Sequence, residues 1–374
     1  MEALELSRKM GGKIEVRSKQ KLNEKNLRVL YTPGVAEVSL AVAKNPLLAS
    51  KYTIKKNTVA VISDGSAVLG LGNIGPLGAL PVMEGKALLF KELSGVDAFP
   101  IVLSTQDTEE IIQTVKNIAP GMGGINLEDI SAPRCFEIEE RLKEELDIPV
   151  MHDDQHGTAI VVLAGLINAL KVVGKKIEKV KITVSGTGAA GVAIIKLLSR
   201  YGAKNIVAVD STGIIYKGRK EGMNRIKEEI AEMTNLEDAR GNLKEALLGA
   251  DVFIGVSAPK LLGAEDVSKM NKRSIVFALS NPVPEIMPPE AKKGGAEVVA
   301  TGRSDFPNQL NNVLAFPGIF RGALDRGIKK ITETHKIRAA EAIASLVKKP
   351  KSDKIVPRAL DRRVSKAVAG IFRK

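Results

Sequence analysis

Short apolar runs alternate with longer amphipathic stretches along most of this chain, and the alternation predicts its secondary structure. Runs rich in β-branched residues predict strands at 58–62, 98–103, 125–127, 148–151, 180–184, 205–209, 251–256, 274–279 and 297–300. Apolar residues at helical spacing predict helices at 83–93, 107–117, 135–145, 159–173 and 192–198. Because strands alternate with helices, we expect an α/β fold with mostly parallel sheets.

The two ends of the chain depart from this alternation. Near the N-terminus a short helix precedes an alternating run at 13–17, which predicts an edge strand. Thr32 and Pro33 predict the start of a helix that ends at about Lys44, and from Phe316 onward the pattern is helical. We therefore expect an N-terminal α/β substrate and metal domain, a Rossmann-like doubly wound dinucleotide-binding domain and a C-terminal helical segment that packs back on the first domain, at 1–154, 155–320 and 321–374.

Two pairs of adjacent acidic residues follow predicted strands. Glu128 and Asp129 come directly after one strand, and Asp153 and Asp154 come after the next. The carboxyl ends of parallel strands meet at one edge of a sheet, so these carboxylates should converge there. They would repel one another without a divalent cation, and ligation by oxygen alone favours Mg²⁺ or Mn²⁺.

A zinc site is the alternative at this position. His152 and His156 stand four residues apart, as in H-E-x-x-H zinc helices. The residue after the first histidine is an aspartate, however, and the run begins at a strand end. The oxygen-ligated cation is therefore the favoured interpretation.

A glycine-rich loop joins the strand at 180–184 to the helix at 192–198 and matches G-x-G-x-x-G. The predicted pyrophosphate-binding loop contains Gly186, Gly188, Ala189, Ala190 and Gly191. Asp210 ends the following strand, where an acid accepts from a ribose hydroxyl and favours NAD. Three nearby cations can instead receive a 2′-phosphate, so the choice between NAD and NADP stays open: Lys217, Arg219 and Lys220.

An earlier loop, from Gly70 to Gly75, matches the same pattern. Pro76 and Pro81 should interrupt the helix that a dinucleotide fingerprint must open, and no acid follows at a suitable strand end. We therefore expect this loop to bring backbone close to a ligand without binding the dinucleotide pyrophosphate.

Four further residues are candidates for chemistry. Tyr31 precedes the predicted helix that starts at Pro33, and it is either a positioned phenol or a half-buried core tyrosine. Lys86 lies near the predicted start of a helix, where burial and the helix dipole should lower its pKa and allow it to act as a base, although most lysines are solvated. Asn281 and Asn312 can reach a nicotinamide or a substrate carboxylate, or can cap turns.

Composition narrows the class of protein. The chain has 374 residues, with 44% hydrophobic and 26% charged, as expected for a globular protein of two domains. The net charge is +13, but the lysines and arginines are interspersed with glutamates, and only 3% of residues are aromatic. This distribution favours an anionic substrate and cofactor over nucleic acid as the binding partner. We expect no membrane association, and the single cysteine is compatible with a cytoplasmic location.

Several segments together resemble the malic enzyme family, specifically its small prokaryotic NAD(P)-dependent malate dehydrogenase (decarboxylating) type. The matching segments, in order along the chain, are Tyr31-Thr32-Pro33-Gly34-Val35, the loop from Leu69 to Gly75, Glu84-Gly85-Lys86, Leu127-Glu128-Asp129, the run from His152 to Thr158, Ser280-Asn281-Pro282, Asn311-Asn312 and Phe316-Pro317-Gly318.

The resemblance implies oxidative decarboxylation of (S)-malate to pyruvate and CO₂, with reduction of NAD or NADP. It implies that Lys86 is the general base, that Tyr31 protonates enolpyruvate, and that Asp153 holds Lys86 or a metal ligand in place. It implies Mg²⁺ or Mn²⁺ bound by Glu128, Asp129 and Asp154. Asn281 and Asn312 would contact the substrate carboxylate and the nicotinamide.

The resemblance also implies a homodimer or higher homo-oligomer, and one departure from it matters. Larger family members carry a substrate-clamping arginine where this chain has Ala67. Another cation or amide must take its place. Two alternative functions would use some of the same residues. The chain could be a metal-dependent oxaloacetate decarboxylase without redox function, or a non-catalytic dinucleotide sensor.

Overall fold

A four-stranded parallel sheet forms the core of the N-terminal part of the chain. The structure is a computed structural model and describes residues 3–68 and 70–372. The strands are β1 (Thr58–Ser63), β2 (Asp97–Val102), β3 (Gly124–Leu127) and β4 (Val150–His152). Their order in the sheet is β2-β1-β3-β4, and every neighbouring pair is parallel. All four carboxyl ends therefore lie at the same edge.

Eight helices precede, connect or follow these strands. They are α1 (Ala3–Met10), α2 (Glu24–Leu30), α3 (Val35–Lys44), α4 (Ala49–Tyr52), α5 (Gly75–Ser94), α6 (Thr108–Ile118), α7 (Arg134–Glu145) and α8 (Asp153–Val173). None of α1 to α4 has a buried residue, whereas most of α8 is buried. In the described chain α8 is also the one helix whose length and apolarity would suit a membrane span, and 72% of its most apolar window is packed inside the molecule.

A six-stranded sheet follows α8. Its strands are β5 (Lys181–Ser185), β6 (Asn205–Asp210), β7 (Gly213–Ile214), β8 (Val252–Gly255), β9 (Ser274–Ala278) and β10 (Ala296–Thr301). Their order is β10-β9-β8-β5-β6-β7, with only β7 antiparallel to its neighbour. The chain winds outward in both directions from β5, so the carboxyl end of β5 is the switch point where such folds bind ligands.

The remaining helices cover this sheet and return to the first one. They are α9 (Ala189–Tyr201), α10 (Arg225–Met233), α11 (Leu243–Leu247), α12 (Ala264–Ser268), α13 (Pro288–Lys293), α14 (Phe316–Arg326), α15 (Glu333–Ser345) and α16 (Arg362–Gly370). Helices α14 and α16 pack on α5, and α15 packs on α8. The Phe90 ring of α5 lies 4.7 Å from that of Phe316 and 5.5 Å from that of Phe320, centroid to centroid.

Two local predictions were wrong: the edge strand at 13–17, and the interruption of a helix at Pro76 and Pro81. The segment 13–17 forms no strand within the described residues, because Lys13 instead bonds to α5 through Glu84 and the Pro81 carbonyl. Helix α5 begins at Gly75 and continues through Pro81. Pro76 lies in its first turn. Backbone N–H groups there have no acceptor within the helix, so the N–H that proline lacks costs no hydrogen bond.

The boundaries of two other helices also differ from prediction. Helix α3 is preceded by Gly34 and not capped by Thr32, while Tyr31 ends α2, where its N–H donates to the Leu27 carbonyl. Helix α8 begins at Asp153, so the second acidic pair lies in the first turn of a helix, where the helix dipole favours negative charge.

Candidate active site

Three carboxylates meet at the edge of the first sheet. Glu128 and Asp129 follow β3, Asp154 lies in the first turn of α8, and one oxygen from each lies within 4.8 Å of the others. The Asp129 N–H donates to Asp154 Oδ2 at 2.8 Å, and Asn126 donates to Glu128 at 2.9 Å. Asp129 has a φ of +54°, a conformation that non-glycine residues rarely adopt and that is common at functional sites.

Lys86 is buried against this cluster. Its Nζ lies 2.6 Å from Asp153 Oδ2, 2.8 Å from Glu128 Oε1 and 4.3 Å from the centroid of the Phe316 ring. Only 7% of the residue is exposed, and Asp153 is fully buried. The structure thus brings together the predicted base, the predicted holding carboxylate and one predicted metal ligand.

The electrostatics of the cluster overturn one prediction. Burial alone would lower the pKa of Lys86, but the charges of Asp153, Glu128 and Asp154 outweigh it and hold that pKa above its usual value. The expected lowering was wrong because Lys86 lies in the middle of α5, away from the helix start, and faces acidic groups. Burial raises the pKa of Asp154 to about 6, although the charge of Lys86 opposes the rise.

Close packing fixes Asp153 and Asn312 on either side of Gly157. A Cβ at Gly157 would lie 1.9 Å from Asp153 Oδ1 and 3.0 Å from the Cβ of Asn312. Asn312 also limits the rise that burial causes in the pKa of Asp153, which is about 7. Asn312 therefore reaches the carboxylate that binds Lys86, and no side chain larger than that of glycine fits between them.

Asn281 lies where two loops approach each other. It follows β9, and its carbonyl oxygen would be 2.1 Å from a Cβ at Gly70, whose φ is +75°. Its side chain lies against Gly302, at the end of β10. The earlier glycine-rich loop thus approaches the second sheet at Asn281, and its predicted contact with a ligand stays a prediction.

The loop after β5 has the geometry of a pyrophosphate cradle. Gly186 has a φ of +106°, and a Cβ at Gly191 would lie 1.8 Å from the Gly186 carbonyl oxygen. Nothing lies within 4 Å of the Cβ position at Gly188, which precedes α9. The loop residues Ala189 and Ala190 begin α9, so the positive end of that helix faces the open side of the loop.

Asp210, the predicted ribose acceptor, is already bound by two cations. Its two oxygens lie 2.9 Å and 2.5 Å from the Arg219 guanidinium, and Lys227 Nζ lies 2.7 Å from Oδ2. Burial would raise the pKa of Asp210, but hydrogen bonds from Arg219 and Lys227 outweigh it and lower the pKa to about 2. Lys227 was not among the cations predicted to receive a 2′-phosphate. It stands 17 residues after Asp210, whereas the predicted cations, Lys217, Arg219 and Lys220, stand closer to it in the sequence.

Tyr31 is not brought to this cluster within one chain. The residue is 67% exposed, and among the hydrogen bonds of residues 3–68 and 70–372 none joins its hydroxyl to Lys86. The core-tyrosine interpretation is therefore wrong, because the side chain faces solvent.

Arg134 is a residue that the sequence did not single out. It begins α7, and its guanidinium donates to Asp64 at 2.7 Å and to Ser66 at 3.1 Å, next to Ala67. Its Nε is buried without a hydrogen bond. A search for a cation near the strand ends could have found it, since it lies five residues after Asp129.

A dinucleotide-binding sheet joined through one helix to a sheet with an acidic edge defines a two-domain α/β oxidoreductase. Residues 11–143 match the model of the malic enzyme N-terminal domain, and residues 155–372 match that of the malic enzyme NAD-binding domain. The chain belongs to the malic enzyme family. The resemblance and the fold class predicted from the sequence are confirmed.

Named relatives agree with this assignment. A bifunctional malic/malolactic enzyme of Bacillus subtilis (strain 168) is 57% identical over 98% of this chain and 90% of its own length. An NAD-dependent malic enzyme of Geobacillus stearothermophilus is 58% identical over 96% of this chain and 75% of its own. The crystal structure of an NAD-dependent malic enzyme from Thermotoga maritima, 53% identical, superposes with a TM-score of 0.97 over 100% of this chain and 99% of that one.

The carboxylate cluster predicts pH-dependent binding of a divalent cation. Below pH 6 Asp154 holds a proton, which a cation must displace, so Mn²⁺ affinity should fall about tenfold between pH 7 and pH 5. Asp154→Ala should weaken binding by more than about 100-fold at pH 7.5, because a direct ligand is lost. Electron paramagnetic resonance of free Mn²⁺ measures both effects. Asp147→Ala, at a surface residue paired with Lys329, should bind as the unchanged protein does, and equal affinities in the two variants would contradict the site.

Proposed function

We propose that the chain catalyses divalent-metal-dependent oxidative decarboxylation of (S)-malate to pyruvate and CO₂, with reduction of NAD or NADP. The observation that carries this proposal is the buried Lys86 ammonium, held by Asp153 and Glu128 at the edge where three carboxylates converge. A lysine in that position can exchange a proton with a hydroxyl group bound beside it.

Glu128, Asp129 and Asp154 would hold Mg²⁺ or Mn²⁺. Their oxygens are hard ligands, and three carboxylates at this separation suit a cation of that class. The cation would supply Lewis-acid stabilisation of the negative charge that develops when CO₂ leaves. Carboxylates alone hold Lys86 protonated, and a dication among them would offset their charge and lower the pKa of Lys86 towards the range of a working base.

Asp153 and Asn312 would position the base and the substrate. Asp153 fixes Lys86 Nζ at 2.6 Å, so the lysine accepts the proton of the C2 hydroxyl at a defined position as hydride leaves C2. The amides of Asn312, beside Asp153, and of Asn281 would contact the substrate carboxylate and the nicotinamide carboxamide.

Arg134 would supply positive charge near the position of the absent arginine. Its guanidinium reaches Ser66, the neighbour of Ala67, and an Nε proton there has no acceptor. The Arg134 side chain is 28% exposed, and a substrate carboxylate at its exposed part would place its charge beside a fixed cation.

The reaction itself is the first test. With malate, Mn²⁺ and NAD or NADP, absorbance at 340 nm should rise, and a chelator should abolish the rise. Lys86→Met should lower kcat by about 10²- to 10⁴-fold, the usual contribution of a general base. Lys91→Met, in the same helix but paired with Asp97 at the surface, should retain full activity. Unimpaired turnover by Lys86→Met, or full activity in the chelator, would refute the assignment.

We further propose that a second copy of the chain covers residues 3–55 and supplies Tyr31. Within this stretch exposed apolar side chains are concentrated, with Leu4, Val16, Leu40 and Leu47 each more than 70% exposed. A surface of this kind is typical of a subunit interface. Tyr31 lies within it and is 67% exposed, so its hydroxyl is available to protonate enolpyruvate at the site of a partner.

Complementation tests this arrangement. Tyr31→Phe and Lys86→Met should each be inactive alone in the overall reaction. If each site combines Tyr31 of one chain with Lys86 of the other, a mixed dimer contains one intact site, and random mixing should restore about a quarter of the activity. Mixed dimers isolated with two different affinity tags provide the control for exchange. Mixed dimers without activity would mean that both residues act within one chain.

The cations around Asp210 predict acceptance of both dinucleotides. Arg219 and Lys227 carry two positive charges against the one negative charge of Asp210, which favours a 2′-phosphate, while Asp210 would accept from the ribose hydroxyls of NAD. Lys227→Gln should weaken NADP binding about tenfold or more and NAD binding little, because a charged hydrogen bond to phosphate is lost. Calorimetry with each dinucleotide measures the ratio. Lys217→Gln, at an exposed lysine paired with Glu232, should leave it unchanged, and equal weakening of both dinucleotides by Lys227→Gln would disprove the role.

A further inference from the structure

A second cluster of buried charged groups lies outside the candidate active site. Glu139 of α7 is 4% exposed and Lys336 of α15 is 1% exposed, and between them lies the half-buried ring of His156, from α8. A buried lysine costs free energy unless its partners compensate for the lost hydration. The three residues come from segments up to 197 positions apart, so local sequence does not account for their meeting.

The hydrogen bonds of this cluster form a directed chain. Lys336 Nζ lies 2.8 Å from His156 Nδ1, and an ammonium group can only donate. His156 Nδ1 is therefore the acceptor, and the proton of the neutral ring is on Nε2, which lies 2.8 Å from Glu139 Oε2. The second oxygen of Glu139 accepts from the backbone N–H of His152 at 2.8 Å.

The last of these bonds reaches the candidate active site. His152 is the final residue of β4, and Asp153 and Asp154 follow it directly in the first turn of α8. A shift of the His152 peptide would move Asp153 away from Lys86 and Asp154 away from the other two carboxylates. The Glu139 carboxylate holds that peptide from one side. Lys143 lies 2.7 Å from the same oxygen of Glu139, and His156, which contacts Lys336, holds the other oxygen.

We propose that Glu139, His156 and Lys336 are positioning residues that fix the turn between β4 and α8, so that helix α15 sets the geometry of the metal-binding carboxylates. This proposal rests on the proposed role of Asp153 and Asp154. It assigns a function to the C-terminal helical segment, which contributes no carboxylate to the cluster formed by Glu128, Asp129 and Asp154.

Mn²⁺ and NAD binding, measured separately, test the proposal. Lys336→Met and Glu139→Gln should weaken Mn²⁺ binding about 10- to 100-fold, as is usual for groups that orient metal ligands, and leave NAD affinity unchanged. In Glu139→Gln an amide donor would face the His156 Nε2 proton, so the chain of bonds breaks without a change in size. Lys196→Met is the matched control, because Lys196 is an exposed lysine of α9 that pairs with Glu229 at 2.8 Å and contacts neither Glu139 nor His152.

A pair of substitutions at His156 keeps the test decisive if Lys336→Met fails to fold. His156→Gln can accept from Lys336 and donate to Glu139, so it should retain Mn²⁺ affinity, whereas His156→Leu should lose it. Mn²⁺ affinity within twofold of the unchanged protein in both Glu139→Gln and His156→Leu would overturn the proposal. Failure of the metal site itself is distinguished by Asp154→Ala, which would then have no effect on Mn²⁺ binding either.

Discussion

The charges around the buried Lys86 ammonium group are the central electrostatic feature of this molecule. One ammonium group is buried between two carboxylates, and two further carboxylates lie within reach of them. Four acids and one lysine leave an excess of negative charge in a region of low dielectric, where repulsion is strong. These carboxylates hold the pKa of Lys86 above its usual value, while burial raises the pKa of Asp154 to about 6. Each proton retained reduces the excess of negative charge. A cation bound there would relieve the repulsion and at the same time release Lys86.

Two features of the fold bring these charges together: the parallel strands of the first sheet and helix α5. Parallel strands place Glu128 and Asp129 at the same edge as the start of α8, and α5 crosses behind β1 and β2 to deliver Lys86 from the middle of a helix. The Phe316 ring, which begins α14, closes the apolar side of the ammonium group. The C-terminal helices therefore complete a site whose charged residues all precede α9.

The sequence predicts best what depends on local pattern. Strand positions, the acidic pairs at strand ends and the loop from Gly186 to Gly191 follow from periodicity and spacing, and the structure agrees with them. It predicts poorly what depends on distant partners. The pKa of Lys86 is raised, and not lowered as predicted, because of carboxylates up to 68 residues away in the sequence. No local sequence pattern indicates that Asp210 pairs with Lys227 or that His156 pairs with Lys336. The edge strand at 13–17 fails for the same reason, since its backbone bonds to a helix that begins 58 residues after it.

Helix α8 connects the two halves of the chemistry. It starts with Asp153 and Asp154 at the edge of the first sheet, and it packs against α9, the helix that follows the glycine-rich loop after β5. Its 21 residues span about 30 Å and most of their side chains are buried, so the helix links the acidic pair in its first turn to the second sheet through closely packed side chains. The loop at Gly70 makes a second contact between the two halves of the chain, because a Cβ there would lie 2.1 Å from the Asn281 carbonyl oxygen. The position of this loop therefore depends on the absence of a side chain at Gly70, whereas the position of the acidic pair depends on the packing of α8.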